Sequence, residues 1–569
     1  MSRSIGPTLA TVAILTLVGA GCAVDLPAPA PEPTLARSTS LPPGAPCPFG
    51  GTELAVGPDR NHNGRLDDDE VEQRSNSCSD ARLVRVDPEP AGANCPSGGK
   101  AVHDGLDRNH DGQLEDDEVE STTYTCDPAA VFRGDFTAAM WNDPAALAAL
   151  LGADVITGNL EIAGPDAVAL PRLTVVGGTL SAASQLEGST MLELPALELV
   201  VGALDLAHEG LSGAIALPRL LRVGGSVRIT QAEVTALSAP ALTQVGSLFI
   251  EASRIEHLAL PALVDTGFSL VLQNNPSLID LSLPRVRQLS ALVVVHNDAL
   301  TSLAGLDNVF DAASVTIADN AALAAPGLPV LSGITNLTIS GPATTTIGFP
   351  RLVFARTVRI HDVPALEQLT LPSLDSAQRI DVVSAPRLAR LDLPLLVTLA
   401  GQHLGPDRII AIAVSGTAID MLSLPALIRS SGQIAVNGNA NLATIDLPQL
   451  QLLDRIVIDS APRLTTISAP ALITATALDL QSSPIATLAL GKLTSIIADL
   501  RISGTALTAV DGLGALQTIG GALTLSGDTQ LASLAGFAKL SSVRGAVTID
   551  SCPALSADEI AALIARVHP

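Results

Sequence analysis

A phrase of about 22 residues recurs along most of this chain, and it restricts the fold more than any other feature. It reads approximately Leu-x-Leu-Pro-x-Leu-x-x-Val and is followed by a short apolar-x-apolar segment. Clear copies contain the Leu-Pro pair at Leu217, Leu260, Leu371 and Leu447. One repeat of this size cannot bury its apolar side without its neighbours. The period therefore predicts a solenoid of stacked coils.

The last apolar residue of each copy, called here the anchor residue, marks the coils. The anchors are residues 173, 197, 220, 242, 263, 286, 309, 331, 352, 374, 396, 427, 450, 472, 493, 516 and 540. Most neighbouring anchors are 21 to 24 residues apart, but Leu396 and Leu427 are separated by 31. About nine extra residues near 401–408 are therefore expected to form a loop, and such loops often lie on the binding face of a solenoid.

Each coil is expected to contain two short parallel strands. One is the apolar-x-apolar element, and the other is the Leu-x-Leu that precedes the proline. Alternate side chains would point inward and stack on their equivalents in the next coil, while the proline fixes the corner. Asn275, Asn297 and Asn320 are expected to bond backbone groups at the bends. About 18 coils spaced roughly 4.8 Å apart would make a rod on the order of 85 Å long.

Short helices are predicted at both ends of the array. Residues 141–152 are expected to form the opening helix, with Asn142 or Asp143 as its N-cap. At the other end, residues 556–559 form a capping box, with Leu555 and Ile560 placed as a hydrophobic staple. The closing helix would cover the open edge of the sheet.

The opening helix, the sequence Ile-Thr-Gly-Asn-Leu-Glu-Ile at residues 156–162 and coils of this length resemble the receptor L domain of growth-factor receptor ectodomains and fungal cell-wall proteins. The resemblance covers residues 140–567. It implies a mainly β chain whose residues 140–569 form a right-handed parallel β-solenoid, and it implies nothing about the ligand. This chain departs from the family in its greater length and in lacking the bracing cysteines.

Residues 1–22 have the organisation of an export signal. Arg3 precedes an apolar run that is too short to span a bilayer, and the signal ends in Gly-Ala-Gly-Cys. This ending resembles the lipobox of bacterial lipoproteins, although Gly19 stands where that family usually has Leu. The resemblance implies a lipid anchor on Cys22 at the outer membrane or cell surface, or facing the periplasm. The alternative is an ordinary secretory signal that is cut nearby.

Residues 23–46 are rich in Pro and Ala and are predicted to form an extended spacer. Two small modules follow, at 47–78 and 95–127, joined by a connector at 79–94. Within each module two cysteines are 31 residues apart: Cys47 and Cys78, then Cys95 and Cys126. This regularity predicts two disulfides inside the modules and an oxidising compartment. The remaining Cys552 is expected to be a buried thiol.

Each module carries a twelve-residue acidic loop that resembles the EF-hand loop in its oxygen side chains, its glycine at position 6 and its final Glu. The candidate Ca²⁺ ligands are Asp59, Asn61, Asn63, Arg65, Asp67 and Glu70 in the first loop, and Asp107, Asn109, Asp111, Gln113, Glu115 and Glu118 in the second. Arg65 and Gln113 would contribute only backbone carbonyls. Ca²⁺ binds six to eight hard oxygens, so two calcium sites are predicted. The flanking segments are not helical, which favours calcium as a staple over a sensor that opens. The alternative is an Asx-rich turn without metal.

The net charge, the motifs and the spacing of the acidic residues disfavour several classes of function. A net charge of −25 argues against binding to the nucleic-acid backbone. The sequence contains no HExxH, GxSxG or P-loop motif. On the expected outward row of the first strands no acid has an acidic neighbour, which leaves paired-carboxylate catalysis unsupported. Phe249, Val271 and Val293 would align there as an exposed apolar strip, unless a loop covers them.

These observations together predict a non-enzymatic, lipid-anchored surface protein whose solenoid binds a protein or a glycan. One alternative is a surface enzyme that acts on polysaccharide with the solenoid as its groove. Such an enzyme should show clustered acidic or His side chains on one face. The other alternative is a purely structural spacer of the envelope, which should present no sticky patch.

Overall fold

The computed structural model describes residues 34–42, 44–47, 50–58, 60–61, 65–78, 81–90, 94, 99–109, 111–126, 130–163, 167–182, 191–206, 211–264, 268–403 and 409–567. The chain divides into two compact units. The N-terminal unit comprises Met1–Asp87 and Ala101–Thr123, and the solenoid unit comprises Pro88–Lys100 and Tyr124–Pro569. The predicted signal, Cys22 and residues 23–33 of the predicted spacer lie outside the described residues.

The two modules of the N-terminal region each form a three-stranded sheet. The first contains β1 (Thr34–Leu41), β2 (Gly51–Pro58) and β3 (Gln73–Cys78), and β2 pairs antiparallel with both neighbours. The second contains β4 (Ala81–Glu89), β5 (Gly99–Asp107) and β6 (Val119–Cys126), with β5 in the centre. In both modules the acidic loop connects the central strand to the third strand.

Strands β1 and β4 correct the predicted boundaries of the modules. Residues 34–41 lie in the predicted spacer and residues 81–89 in the predicted connector, yet both stretches are edge strands of the sheets. An edge strand is paired on one side only and tolerates polar residues, so its composition resembles that of a linker. The first module therefore begins at Thr34 and the second at Ala81.

The main element of the solenoid unit is a long sheet to which every coil contributes. Its strands are Leu160–Ile162, Leu180–Ala182, Leu204–Asp205, Ser226–Thr230, Ser247–Glu251, Phe268–Gln273, Gln288–Val295, Asp311–Ala318, Gly333–Ile339, Phe354–His361, Ser376–Ala385, Thr398–Leu399, Gln402–His403, Ile409–Thr417, Arg429–Asn437, Leu452–Asp459, Thr474–Gln481, Ser495–Ile496, Leu500–Ser503, Thr518–Ile519, Leu523–Ser526, Ser542–Val543 and Val547–Asp550.

Shorter sheets form the other sides of the coils. Before the prolines run Ala167–Ala169, Met191–Glu193, Ser212–Ala216, Glu233–Ser238, His257–Ala259 and Asp280–Ser282, then Thr346–Gly348, Gln368–Thr370 and Arg390–Asp392, then Met421–Ser423, Thr444–Asp446 and Thr466–Ser468. Thr487–Ala489 continues the last of these sheets in a coil that has Gly491 in place of the proline. A further sheet near the start contains Val131–Phe132, Val155–Ile156, Val175–Val176, Leu199–Val200 and Arg222–Val223. Short 3₁₀ helices lie at Ala138–Asn142, Ala304–Leu306, Asp511–Leu513 and Ala535–Phe537.

Equivalent residues of successive coils lie side by side. Leu248 pairs with Leu270, and Leu270 pairs in parallel with Leu292. All seventeen anchor residues are no more than 1 % exposed, and they belong to one continuous core. The structure thus confirms the predicted mainly β chain with a parallel solenoid of about 18 coils.

The extra residues between Leu396 and Leu427 interrupt this regularity at one coil. Asp381 pairs with Ala413, across the insertion, instead of with a residue about 22 positions away. Gln402–His403 forms a short antiparallel pair with residues 409–410. Residues 404–408, within the predicted loop, lie outside the described residues.

A left-handed residue ends the strand of the long sheet in most coils. The non-glycine residues with positive φ in the described part of the chain all occupy this position, and they are Gln231, Ala252, Asn274, His296, Asp319, Asp362, Ser384, Ser460, Ser482 and Ser551. In other coils a glycine such as Gly416 or Gly438 stands there. Short polar residues and glycine tolerate this conformation best. The turn reverses the chain toward the interior, where the next side chain is buried.

That next position holds the three predicted asparagines, which form a buried ladder. Asn275, Asn297 and Asn320 are at most 3 % exposed. Nδ2 of Asn297 donates to the carbonyl of Leu272 at 2.9 Å and to Oδ1 of Asn320 at 3.2 Å. Oδ1 of Asn297 accepts from Nδ2 of Asn275 at 3.0 Å. The asparagines thus bond the backbone at the bends, as predicted, and also bond one another.

Helices close both ends of the solenoid as predicted. Helix α1 (Pro144–Gly152) has Asp143 as its N-cap, and the Asp143 side chain accepts from the N–H groups of Ala145 and Ala146. Helix α2 (Ala557–Val567) starts after Ser556, whose Oγ accepts from the Glu559 N–H at 3.2 Å. Arg566 of α2 donates to the carbonyls of Phe537 and Leu540 in the last coil. No helix of the described residues combines the length and apolarity needed to cross a bilayer.

The solenoid starts earlier than the predicted residue 140. Val131–Phe132 already pairs in parallel with Val155–Ile156. The Phe136 ring packs edge to face against Phe132 and Trp141, at centroid distances of 5.4 and 5.5 Å. Within the described residues this aromatic cluster packs at the start of the first coil.

The buried ladder leads to a prediction about stability. Replacing Asn297 by Ala should lower the free energy of unfolding by about 2–3 kcal/mol, because it leaves buried groups of the neighbouring coils without partners. Replacing Asn336, which is exposed on the same sheet, by Ala should change it by less than about 0.5 kcal/mol. Urea titration of both variants measures the difference. Equal effects would show that the ladder adds no stability.

Candidate functional site

The second acidic loop runs from the end of β5 to the start of β6. Asp107 is fully buried, whereas Asn109 and Asp111 are exposed. The Asp107 carboxylate accepts hydrogen bonds from the backbone N–H groups of Asp111 at 3.2 Å and Gly112 at 2.9 Å. Asp107, the first residue of the loop, therefore stabilises the turn at Gly112 from its buried side.

Glu118, the last residue of the loop, closes it by bonding the backbone of the opposite side. It is 3 % exposed, and its carboxylate accepts from the N–H groups of Arg108 at 2.7 Å, Asn109 at 3.0 Å and Glu115 at 3.2 Å. Burial acts to raise the pKa of Glu118, but the hydrogen bonds from Asn109, Glu115 and Arg108 outweigh it and lower that pKa to about 2. Glu118 is therefore ionised at neutral pH.

The remaining oxygen side chains of this loop form successive Asx-type turns. Oδ1 of Asn109 accepts from the Asp111 N–H at 2.9 Å, and Oδ1 of Asp111 accepts from the Gln113 N–H at 2.8 Å. Nδ2 of Asn109 donates to Glu115 at 3.0 Å. Within the described part of the chain, no three His, Cys, Asp or Glu side chains converge as a metal site. These bonds suit both the predicted calcium loop and the metal-free turn.

The first loop repeats this arrangement where it is described. Glu70 is buried and accepts from the N–H groups of Asn61 and Asp67, both at 3.0 Å. Nδ2 of Asn61 donates to Asp67 at 2.7 Å, as Asn109 does to Glu115. Arg65 is exposed. The predicted ligands Asp59 and Asn63 lie outside the described residues.

Two further features of the modules were missed by the sequence reasoning. An arginine of the edge strand reaches the back of each loop. Arg37 donates to the Leu66 carbonyl and pairs with Asp68, while Arg85 donates to the Leu114 carbonyl and pairs with Asp116. By hydrogen bonding and then by charge, Arg37 lowers the pKa of Asp68. Arg37 and Arg85 are separated by the same 48 residues as Cys47 and Cys95, so extending the repeat toward the N-terminus would have identified them.

The second feature is the close packing at a glycine two residues before each loop, in the flanking segment that the sequence predicts to be non-helical. A Cβ on Gly57 would lie 1.9 Å from the carbonyl oxygen of Glu70, and a Cβ on Gly105 would lie 1.9 Å from that of Glu118. No side chain fits in such a space. The glycine lets the end of the loop pack directly against the central strand.

The cysteines of the modules are described only in part. Cys47 is buried and disulfide-bonded. Cys78 and Cys126 end strands β3 and β6, but their side chains and all of Cys95 lie outside the described residues. Cys552 is a free thiol that is 8 % exposed, and burial raises its pKa. The expected buried thiol near the closing helix is therefore confirmed.

On the solenoid, the three residues of the predicted apolar strip are neighbours. Phe249 pairs with Val271, and Val271 pairs with Val293. Their side chains are half-buried, not fully exposed. The Arg228 guanidinium lies over the Phe249 ring, 5.0 Å from its centroid. A cation–π contact of this kind reduces the apolar surface that the strip presents.

Charged residues on the outward row alternate in sign between neighbouring coils. Asp205 lies 3.7 Å from Arg228, and Asp381 lies 3.7 Å from Arg359. Asp381 also pairs with Arg379 at 2.6 Å. Cross-strand pairs of opposite charge stabilise a sheet. These carboxylates contact arginines, an arrangement that differs from the paired acids of a glycoside hydrolase.

Comparison with known protein families gives a match to both modules. Residues 34–78 and 82–126 each match a family described as a domain of unknown function (DUF7151). The two matched segments begin at or next to strands β1 and β4 and end at Cys78 and Cys126. No curated protein matches the chain. The match supports the module boundaries of the structure and says nothing about activity.

Proposed function

We propose that this protein is a non-enzymatic binding protein of the bacterial cell surface, in which the solenoid presents its outer face to a protein or a glycan. The supporting observation is the difference between the inward and the outward residues of each coil. Inward positions of the strands are mostly aliphatic and buried, while the outward row changes from Arg228 to Phe249 to Thr316 in register. Because the buried residues stabilise the coils, the residues of the outer face can vary, as those of a recognition surface must.

The finer likeness to a receptor L domain is part of this proposal. The opening helix, the early Ile-x-Gly-Asn-Leu coil and the leucine-rich core support it. By this likeness the chain would act in adhesion or recognition and would not bind nucleic acid, for which its net charge of −25 is unfavourable. The ligand itself does not follow from the likeness.

We further propose that each acidic loop binds one Ca²⁺. The donor set fits this ion, because carboxylate, amide and backbone carbonyl oxygens are the ligands that Ca²⁺ prefers. The ligands would be Asp59, Asn61, Asn63, Asp67 and Glu70 with the Arg65 carbonyl, and Asp107, Asn109, Asp111, Glu115 and Glu118 with the Gln113 carbonyl. The ion would neutralise acidic side chains and staple the loop to the sheet.

Calcium titration of the complete protein tests this proposal. Ca²⁺ should raise the melting temperature of the N-terminal unit, and EDTA should lower it again, because ligands that bind only the folded state stabilise it. Replacing Asp107 by Asn should weaken binding at one site. Replacing the exposed Asp117 by Asn makes the same change of charge beside the ligands and should have little effect. Identical melting with Ca²⁺ and with EDTA would remove the calcium sites.

The cysteines fit an exported protein. We propose that Cys47 pairs with Cys78 and Cys95 with Cys126. The first pair is supported by Cys47 being disulfide-bonded and by Cys78 lying opposite Gly51, four residues from Cys47. Small modules with little core commonly depend on such bonds. Together with the Gly-Ala-Gly-Cys ending, they support export and a lipid anchor on Cys22.

The anchor makes a distinct prediction in a bacterial host that processes lipoproteins. The native chain should incorporate labelled palmitate and remain in the membrane fraction. The Cys22→Ser variant should incorporate none. A Cys552→Ser variant, which removes a buried thiol elsewhere, should be labelled as the native chain is. Equal labelling of native chain and Cys22→Ser would disprove the anchor.

A binding screen of the complete chain against surface proteins and oligosaccharides tests the binding role. At least one immobilised ligand should retain the protein, and soluble polysaccharides should remain uncleaved. Cleavage products would favour the alternative of a polysaccharide-acting enzyme. Failure to bind any ligand, together with absence of cleavage, would favour a structural spacer of the envelope.

A further inference from the structure

A groove crosses four consecutive coils on the outer face of the long sheet. Gln288, Asp311, Gly333 and Phe354 occupy equivalent positions in these coils and are adjacent in register. The cavity between them has a volume of about 430 Å³. It is lined by Gln288, Leu289, Ser290, Asp311, Ala312, Ala313, Gly333, Ile334, Thr335 and Phe354. Its size falls within the range of small-molecule sites.

The groove exists because one coil lacks a side chain. Nothing lies within 4 Å of the position that a Cβ on Gly333 would occupy, so the backbone there does not require glycine for packing. Its φ is also in the ordinary range, since Gly333 is not among the residues with positive φ. Neither packing nor backbone conformation explains this glycine, whereas an open groove does.

Exposed aromatic rings stand on both sides of that coil. Phe310 is 41 % exposed and Phe354 is 46 % exposed, in a chain with only 2 % aromatic residues. The backbone N–H of Ser332 donates to the carbonyl of Phe310, and the backbone N–H of Val353 donates to the carbonyl of Ser332. These bonds place the two rings in coils that flank Ser332 and Gly333, about 10 Å apart along the stack.

The polar groups of the groove are those that recognise hydroxyls. Asp311 offers two acceptor oxygens, Gln288 offers both a donor and an acceptor, and Ser290 and Thr335 can donate or accept. The lining contains one carboxylate and no basic side chain. Repulsion by Asp311 disfavours a phosphate, sulfate or carboxylate ligand. A neutral ligand with many hydroxyls and an apolar face fits these features.

We propose that this groove binds a neutral sugar unit of a glycan. Phe354 stacks against the C–H face of the ring, while Asp311 and Gln288 bond hydroxyls at its edge. The proposal rests on the binding role proposed above and specifies its ligand class and its site. It places recognition at this groove and not at the half-buried strip of Phe249, Val271 and Val293.

The test uses the complete chain and an array of neutral and anionic oligosaccharides, followed by calorimetry with the best neutral binder. Gly333→Leu fills the groove and should weaken binding at least about tenfold, a loss of about 1.4 kcal/mol. Phe354→Ala removes an exposed ring and should do the same without disturbing the core. Gly491→Leu is the matched control, because Gly491 also has nothing within 4 Å of its Cβ position, and it should bind as the native chain does.

The outcomes separate the site from the proposed function. If the native chain binds a neutral oligosaccharide and both groove variants bind it equally well, the groove is refuted while the binding role stands. If only proteins or anionic glycans bind the native chain, the groove is likewise refuted and the binding role stands. If the native chain binds nothing in this array or in the broader screen, the groove and the binding role both fail. Unchanged thermal melting of Phe354→Ala ensures that a loss of binding reflects the site.

Discussion

The structure depends on the direct stacking of one coil upon the next. Each coil is too thin to bury its own leucines, so its apolar side is removed from water only by its two neighbours. Parallel backbone bonds set the spacing, and they bring Leu220, Leu242 and Leu263 into one continuous core. In the described part of the array, the first and last coils are each stacked on a neighbouring coil on one side only. The aromatic cluster around Phe136 and the closing helix α2 supply the missing layers.

The polar interior of the turns follows from the same stacking. A bend exposes backbone groups that must find partners once the next coil covers them. Where Asn275, Asn297 and Asn320 follow one another, each side chain bonds both the backbone and a neighbouring asparagine. Elsewhere Thr417 bonds Asn439, and Thr505 bonds Asp528, in the same position. The left-handed residue before each of these positions directs the following side chain inward. The turn geometry therefore determines where the polar side chains are buried.

The N-terminal modules are held together by contacts other than those of a large apolar core. They contain few apolar residues, and their loops are held by buried carboxylates, by Arg37 and Arg85, and by the close approach that Gly57 and Gly105 allow. Such small units gain little from a hydrophobic core. Covalent and ionic links therefore have a larger share in their stability, which is consistent with the disulfides and calcium ions proposed for them.

Periodicity along the sequence was sufficient to determine the solenoid and its anchor residues, because these depend on spacing within the chain. The helical ends followed from their capping residues, and the burial of Cys552 followed from its being the cysteine left without a partner in the modules. The edge strands β1 and β4 were not recognised from composition, since strands paired on one side can resemble a linker, although the 48-residue repeat that relates Arg37 to Arg85 extends into both. The left-handed positions were hidden because residues as different as Gln231, Ala252 and His296 occupy them. The groove at Gly333 was decided only by the tertiary structure. A single missing side chain makes a cavity only when the register places Gln288, Asp311 and Phe354 around it.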